Sequence, residues 1–236
     1  MTDVALVTGA GGALGAEVAR KLSARGDRVV LVDGAGAKAR LEQLAATMPG
    51  ACVVAGDVTD DRTWDDALPR IEREVGAPPS LAALIAGAWR GGAALYEEKT
   101  DETWTTMMGA NVETVHRSLV RLLPAMVARK RGSVVVVGSR VVEQPWTSAG
   151  SAAYAASKSA VVALARAVAA EVLESGVRVN AILPSTMDTP ANRAAMPKAD
   201  PGKWVSLDSA AGVVAFLLSD AARDISGVAL PVYGRA

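Results

Sequence analysis

Short apolar runs alternate with helical repeats of apolar residues along most of the chain. Runs rich in Val, Leu, Ile and Ala, which are typical of buried strands, occupy residues 4–7, 28–32, 51–55, 81–85, 133–137, 178–183 and 228–232. After the first run, Leu14, Val18 and Leu22 recur every four residues and predict an amphipathic helix. This alternation predicts a parallel sheet with helices on both faces, formed by one domain over residues 1–236.

Longer helices and one irregular segment are predicted in the second half of the chain. The helices are predicted at residues 101–129, 154–174 and 206–219. Pro124 should kink the first of them or end its first part. Four prolines fall between Pro184 and Pro201. The segment 184–205 is therefore predicted to lack regular structure and to be either a linker or a substrate loop.

Composition narrows the class of protein. Lys plus Arg and Asp plus Glu number 25 each among 236 residues, so no net field attracts nucleic acid or an anionic membrane. Cys52 is the only cysteine, which excludes an internal disulfide and a cysteine-cluster metal site. His116, the only histidine, lies in a predicted helix and is assigned a structural role. No apolar run reaches the ~18 residues of a membrane span, and no signal peptide is evident. We expect a cytoplasmic protein without a metal.

A glycine-rich turn follows the first strand. The sequence TGAGGALG at residues 8–15 stands between a predicted strand and a predicted helix. Glycines in this context let the backbone approach a pyrophosphate, which the N–H groups at the helix start bind. Candidate binding residues in this turn are Gly9, Gly12, Ala13, Leu14 and Gly15.

Carboxylates end the second and third strands. Asp33 stands where an acidic residue accepts both ribose hydroxyls of adenosine and repels a 2′-phosphate, so we predict NAD(H) as the preferred cofactor. Lys38 and Arg40 lie further along and leave NADP(H) open. Asp57 falls at the end of the third strand, where open parallel sheets bind ligands, and either Thr59 or Asp60 caps the next helix.

Tyr154 and Lys158, in the sequence YAASK, form a candidate acid–base pair. Helical positions i and i+4 share one face, so the phenol and the ammonium should project to the same side. A phenol has a pKa of ~10, and a nearby cation lowers it by favouring the phenolate. The pair therefore predicts a tyrosine that transfers protons.

These motifs occur together, in one order, along nearly the whole chain. They are TGAGGALG, Asp33, GDVTD at residues 56–60, Asn111, Ser139, YAASK, VNAILPSTMDTP at residues 179–190 and FLLSDAARDISGVALPV near the end. The set resembles the short-chain dehydrogenase/reductase family. The resemblance implies a doubly wound Rossmann-type sheet of seven parallel strands and an NAD(P)-dependent oxidoreductase acting on CH–OH/C=O. It also implies a homodimer or homotetramer.

The resemblance assigns four catalytic roles. Tyr154 would be the general acid or base, Lys158 would lower its pKa and hold the nicotinamide ribose, and Ser139 would stabilise charge on the substrate oxygen. Asn111 would anchor a water that relays protons. Further cofactor contacts would come from Asp57, Val58, Ala86, Gly87, Pro184, Met187 and Thr189. The spacing of Ser139 from Tyr154 is slightly long, so Ser148 and Ser151 stay alternatives.

Departures from the family pattern leave the substrate open. Ala13 replaces the usual third glycine, Trp89 follows the fourth strand, and Pro184 is followed by Ser185. These loops look most like the dihydropteridine reductase branch, which uses NADH to reduce quinonoid dihydropterin. The presence of Ser139 favours a carbonyl or alcohol substrate instead. A third hypothesis is an NAD-binding regulator without turnover.

The five tryptophans fall into two groups, three in predicted loops and two in predicted helices. Trp89, Trp146 and Trp204 fall in loops at the predicted carboxyl edge of the sheet, where they either line the substrate pocket or anchor loops. If they line the pocket, the substrate should be apolar or ring-shaped. Trp64 and Trp104 fall in predicted helices and are assigned to packing.

Overall fold

Seven parallel strands form one sheet at the centre of the computed structural model, which describes residues 3–235. The strands are β1 (Val4–Thr8), β2 (Arg28–Asp33), β3 (Cys52–Ala55), β4 (Leu81–Leu84), β5 (Gly132–Val137), β6 (Val177–Pro184) and β7 (Ala229–Val232). Their order is β3-β2-β1-β4-β5-β6-β7, and each pair is parallel. The order changes direction between β1 and β4, where doubly wound sheets open a crevice at the strand carboxyl ends.

Helices cover both faces of the sheet. They are α1 (Ala13–Arg25), α2 (Lys38–Ala45), α3 (Asp61–Val75), α4 (Glu102–Met107), α5 (Thr114–Ala128), α6 (Ala152–Glu171), α7 (Pro190–Ala195) and α8 (Leu207–Leu218). Alternate strand residues enter two separate cores, one shared with α3, α5 and α6 and the other with α1, α2 and α8. This arrangement confirms the predicted single-domain, Rossmann-type α/β fold. Within residues 3–235, no helix is long and apolar enough to cross a membrane.

Pro124 does not end the helix that contains it. It lies inside α5, which continues to Ala128, so the predicted alternative of an ending at Pro124 is wrong, and the alternative of a kink stays a prediction. The irregular turn lies instead at Met108–Glu113, a π-helical segment that carries Asn111 between α4 and α5. Such segments occur frequently at functional sites.

The segment 184–205 is more regular than predicted. Thr189 caps α7 by accepting a hydrogen bond from the Asn192 N–H, and a proline occupies the first helical position, where its missing N–H costs nothing. A bridge between Met187 and Val205 joins the two ends of the segment. The segment therefore returns to its starting point instead of acting as a linker.

Trp64 and Trp104 have opposite environments. Trp64 in α3 is 1% exposed and its indole N–H donates to the Val58 carbonyl at 2.8 Å, whereas Trp104 in α4 is 48% exposed. The packing assignment is therefore confirmed for Trp64 and wrong for Trp104. Asp60, not Thr59, caps α3 by accepting from the Arg62 N–H.

We expect Trp64→Ala to lower the free energy of unfolding by about 3–5 kcal/mol, because it leaves a cavity and an unbonded carbonyl. Trp104→Ala, the matched control, should cost less than about 1 kcal/mol. Urea unfolding followed by circular dichroism measures both. Equal losses in the two variants would contradict the core position of Trp64.

Candidate active site

The turn between β1 and α1 is built by close backbone contacts. Gly9 has a φ of 67°, and a Cβ atom there would lie 2.9 Å from the Ala86 nitrogen. A Cβ at Gly15 would lie 2.1 Å from the Gly9 carbonyl oxygen. Thr8, which sequence reasoning missed, accepts hydrogen bonds from the N–H groups of Ile85 and Ala86 at 3.0 and 3.1 Å. The glycines and Thr8 therefore join the ends of β1 and β4.

The start of α1 suits a phosphate group. Gly12 is the N-cap residue, and within the described chain no side chain caps this helix and no acidic residue lies in its first turn. The N–H groups at Ala13, Leu14 and Gly15 begin the helix, where the helix dipole favours an anion. The backbone at the start of α1 is therefore compatible with the predicted phosphate cradle, and phosphate binding there stays a prediction.

Asp33 lies directly above this turn. Its carboxylate accepts from the Gly11 N–H at 2.9 Å and from the Gly34 N–H at 2.8 Å. A Cβ at Gly11 would lie 3.0 Å from the Asp33 Oδ2 atom and 3.6 Å from the Arg40 Nε atom. Of the two cations that sequence left open, Arg40 therefore lies near Gly11, as Asp33 does, while the Lys38 Nζ atom lies 3.9 Å from the Glu42 Oε1 atom.

The turn that follows β3 lies next to the end of β2. Asp57 accepts hydrogen bonds from the N–H and the hydroxyl of Thr59, both at 2.8 Å. Val58 is buried, and its carbonyl binds Trp64. The Gly56 N–H donates to the Asp33 carbonyl at 2.9 Å, which places this turn next to the end of β2.

Lys158 is a buried cation at the carboxyl end of β5. It is 7% exposed, and its Nζ atom donates to the Val137 carbonyl at 2.9 Å. Burial lowers the pKa of the Lys158 ammonium to about 8. A lysine with this pKa exchanges a proton near neutral pH, as an ordinary surface lysine does not.

The Tyr154 phenol differs from the prediction. Burial raises its pKa, and a side-chain hydrogen bond with Ser139 opposes that effect. Lys158 is not among the groups that shift this pKa, and desolvation of the phenolate dominates, so the predicted lowering by Lys158 is not seen. Ser139 is thus the group that favours the phenolate in this structure.

Ser139 is the serine that meets the tyrosine. It follows β5, is 8% exposed, and begins the short 3-10 turn Arg140–Val142. Ser148 donates to the Pro145 carbonyl and Ser151 donates to the Ser148 carbonyl, so both alternatives are engaged elsewhere. A second 3-10 turn, Pro145–Ser148, occupies part of the long spacing between Ser139 and Tyr154.

Asn111 connects the loop after β4 to α6. Its Oδ1 atom accepts from the Ala88 N–H at 3.1 Å, and its Nδ2 atom donates to the Ala88 carbonyl at 3.0 Å and to the Ser157 hydroxyl at 3.1 Å. Ser157 in turn donates to the Tyr154 carbonyl at 2.8 Å. Sequence reasoning missed Ser157, although it is a small polar residue inside YAASK. The Asn111 amide therefore ties the loop after β4 to α6, and its role as the anchor of a proton-relay water stays a prediction.

The absence of a side chain at Gly87 lets the backbone lie close to both Asn111 and Lys158. A Cβ at this position would lie 2.6 Å from the Asn111 Oδ1 atom and 3.3 Å from the Lys158 Nζ atom. The backbone after β4 therefore lies against both side chains, as a cofactor ribose held by Lys158 would require.

The three loop tryptophans differ in their exposure to solvent. Trp89 and Trp146 are 64% and 75% exposed, and Trp204 is partly buried. A Cβ at Gly91 would lie 3.0 Å from the Trp89 Cζ2 atom and 2.7 Å from the Ser151 Cβ atom, so the indole reaches the start of α6. On the other side, Pro184 ends β6 and Met187 pairs with Val205.

Fold and site together define a Rossmann-type α/β protein in which Ser139 adjoins Tyr154 and Lys158 lies at the carboxyl end of β5. The short chain dehydrogenase family model matches residues 3–200, and the chain belongs to that family. Within residues 3–235, no group of three or more His, Cys, Asp or Glu side chains is placed to bind a metal.

Relatives cover almost the whole chain. The 2,5-dichloro-2,5-cyclohexadiene-1,4-diol dehydrogenase LinX of Sphingobium indicum is 31% identical over 98% of this chain and 94% of its own. The 3-oxoacyl-(acyl-carrier-protein) reductase FabG of Escherichia coli is 30% identical over 98% and 96%. The family and these relatives confirm an oxidoreductase acting on CH–OH/C=O groups. The narrower resemblance to dihydropteridine reductases finds no support among them.

Solved structures share the fold. The 3-ketoacyl-(acyl-carrier-protein) reductase from Brucella melitensis, complexed with NADH, is 28% identical and superposes with a TM-score of 0.87, covering 99% of this chain and 98% of its own. A short-chain dehydrogenase/reductase family oxidoreductase from Burkholderia thailandensis is 31% identical with a TM-score of 0.85, covering 99% and 92%. The NADH complex supports a nicotinamide cofactor for the fold.

We expect Lys158→Met to reveal the cost of the buried ammonium. The folded-state pKa is about 8 against 10.5 in a free lysine, so between these values the unfolded chain binds more protons and wild-type stability rises with pH. From pH 7.5 to 9.5 wild type should gain about 2 kcal/mol relative to Lys158→Met, because releasing one proton changes the free energy by about 1.36 kcal/mol for each pH unit.

Urea unfolding of both proteins at the two pH values measures this difference. Lys99→Met, which alters an exposed site, is the control and should show no such change. A pH-independent stability difference between wild type and Lys158→Met would show that burial does not lower the pKa of the ammonium.

Proposed function

We propose that the protein is an NAD(H)-dependent dehydrogenase/reductase of a carbonyl/hydroxyl substrate, with Tyr154 as general acid or base. The observation that carries the proposal is that Ser139 adjoins the Tyr154 phenol, while Lys158, one helical turn further along α6, lies against Gly87 in the loop after β4. The bound nicotinamide supplies or accepts the hydride. Asn111 completes the proposed catalytic set by positioning the loop that carries Gly87.

The proton steps follow from the positions of the side chains. In reduction, Tyr154 donates its proton to the substrate oxygen as negative charge develops there, and in oxidation it removes the hydroxyl proton. Ser139 donates a hydrogen bond to the same oxygen and stabilises the charge. Lys158, which lies beside Gly87, would bind ribose hydroxyls of the cofactor.

We further propose that the cofactor lies along the carboxyl edge of the sheet. The cradle at residues 9–15 holds the pyrophosphate, Asp33 accepts the adenosine ribose hydroxyls, and Pro184 and Thr189 border the nicotinamide. Asp57, Val58, Ala86 and Met187 complete the proposed contacts. The carboxylate beside Gly11 supports NAD(H), and the adjacent Arg40 is the group that opposes this preference.

The proposed substrate is apolar or ring-shaped. Trp89 and Trp146 expose large aromatic surfaces next to α6, and we propose that they line the pocket with Trp204 while the segment 184–205 covers it. A cyclic substrate is consistent with LinX, a relative named for a cyclohexadiene diol.

We expect Tyr154→Phe to lower kcat by about 10²–10⁴-fold, the usual contribution of a general acid. NADH absorbance, followed with a panel of cyclic and acyclic ketones and, in reverse, alcohols, measures the loss. Tyr96→Phe, the control, alters a phenol that is 89% exposed and should retain wild-type rates. A Tyr154→Phe enzyme as fast as wild type would refute the proposed mechanism.

We expect Asp33→Ala to shift kcat/KM from NADH toward NADPH by about tenfold or more, because it removes a like charge from the 2′-phosphate position. The matched variant Asp33→Ala/Arg40→Ala should lose most of the gain with NADPH, since no cation then faces the phosphate. Steady-state kinetics with both cofactors test this. An unchanged cofactor ratio in Asp33→Ala would place the adenosine ribose elsewhere.

A further inference from the structure

The last described residues contact two loops of the site. We name Tyr233, Gly234 and Arg235, which follow β7, the C-terminal strap. The Tyr233 hydroxyl donates to the Glu143 Oε2 atom at 2.6 Å, and the Tyr233 carbonyl accepts from the Ser185 hydroxyl at 2.6 Å. The Arg235 N–H donates to the Lys203 carbonyl at 3.0 Å. Three hydrogen bonds therefore connect the strap to the rest of the carboxyl edge.

The bond to Glu143 acts on the turn that begins at Ser139. The Ser139 hydroxyl accepts from the Val141 N–H, the Ser139 carbonyl accepts from the Val142 N–H, and the Glu143 N–H donates to the Arg140 carbonyl. Ser139 is thus the first residue of the turn and Glu143 is its last. Fixing Glu143 to Tyr233 prevents this turn from rotating away from the end of β7.

The other two bonds act on both ends of the segment 184–205. Ser185 stands at the start of the segment and Lys203 stands near its end. Gly234 has a φ of 65°, and a Cβ there would lie 3.0 Å from the Lys203 carbonyl oxygen, so a side chain would push the strap away. The strap therefore contacts the segment 184–205 near both of its ends.

The Tyr233 phenol stays protonated and can therefore donate its hydrogen bond to Glu143 throughout the neutral pH range. Burial, and then the hydrogen bond to Glu143, raise the pKa of the Tyr233 phenol to about 12, while the nearby Arg140 cation opposes this rise. The phenol keeps its proton throughout the neutral range and donates to a carboxylate, a charge-assisted bond stronger than a neutral one. The ring packs at the edge of the core shared with α6.

We propose that Tyr233 is a positioning residue for Ser139, and that the C-terminal strap sets the geometry of the segment 184–205. This inference rests on the proposed function, because there Ser139 is the side chain that donates a hydrogen bond to the substrate oxygen. Tyr233 acts through Glu143 and the Ser139 turn and does not itself take part in proton transfer.

A double-mutant cycle tests the link between Tyr233 and Ser139. Tyr233→Phe, which keeps the ring and the carbonyl, should lower kcat about tenfold through misplacement of the serine, with KM for NADH nearly unchanged. In the Ser139→Ala background the same change should cost less than about twofold, because the residue it positions is gone. Glu143→Gln, which keeps an acceptor, should restore most of the rate that Glu143→Ala loses. Equal effects of Tyr233→Phe in both backgrounds would overturn the proposal, as would an unchanged kcat.

Hydrogen exchange gives a measurement that does not need turnover. Tyr233→Phe should speed amide exchange at residues 141–144, and deletion of residues 234–236 should speed exchange at residues 185–188 and 203–205. Tyr96→Phe serves as the matched control and should change neither segment. If the wild-type protein shows no turnover, the proposed function fails. Hydrogen exchange alone then tests the effect of the strap on the two segments, and unchanged exchange rates in both variants would overturn that effect.

Discussion

The buried ammonium of Lys158 is the constraint around which the site is organised. A cation removed from water needs a polar partner, and the Val137 carbonyl at the end of β5 supplies it at 2.9 Å. The loop after β4 must then leave room for the same ammonium, and only a residue without a Cβ fits at position 87, between Lys158 and Asn111. The end of the sheet, the loop and helix α6 are therefore adjusted to one charged group.

Two influences other than Lys158 act on the pKa of the Tyr154 phenol. The lysine is held by a backbone carbonyl, while burial raises the pKa of the phenol and Ser139 lowers it. Ser139 lies on a short turn instead of a strand or long helix, and a turn has few backbone bonds of its own to define its direction. Contacts from elsewhere in the chain, including those of Tyr233 and Glu143, therefore affect how well the serine meets the phenol.

Asp33 shows how a backbone turn and a specificity group support each other. The carboxylate accepts the Gly11 N–H, so it stabilises the glycine-rich turn, and in the proposed binding mode it also faces the adenosine ribose. Under that proposal a change at Asp33 alters both the turn and the charge that faces the cofactor. Arg40 lies close enough to respond to that change.

Much of the fold could be predicted from sequence, because buried parallel strands are apolar throughout and are separated by helical repeats. Each predicted strand end lies within one residue of the observed end. A helix end at Pro124 and a wholly irregular segment 184–205 were predicted wrongly, because α5 continues past Pro124 and because the Thr189 cap begins a helix with Pro190 at its first position.

Sequence by itself also identified the family, and it determined that Tyr154 and Lys158 lie one turn apart on α6, since local spacing defines which side chains share a helix face. It did not determine the pKa of Tyr154, the choice of Ser139 over Ser148 and Ser151, or the contacts of the strap. Those depend on burial and on hydrogen bonds between residues up to 90 positions apart, as Tyr233 and Glu143 are. Only the folded chain brings such groups together.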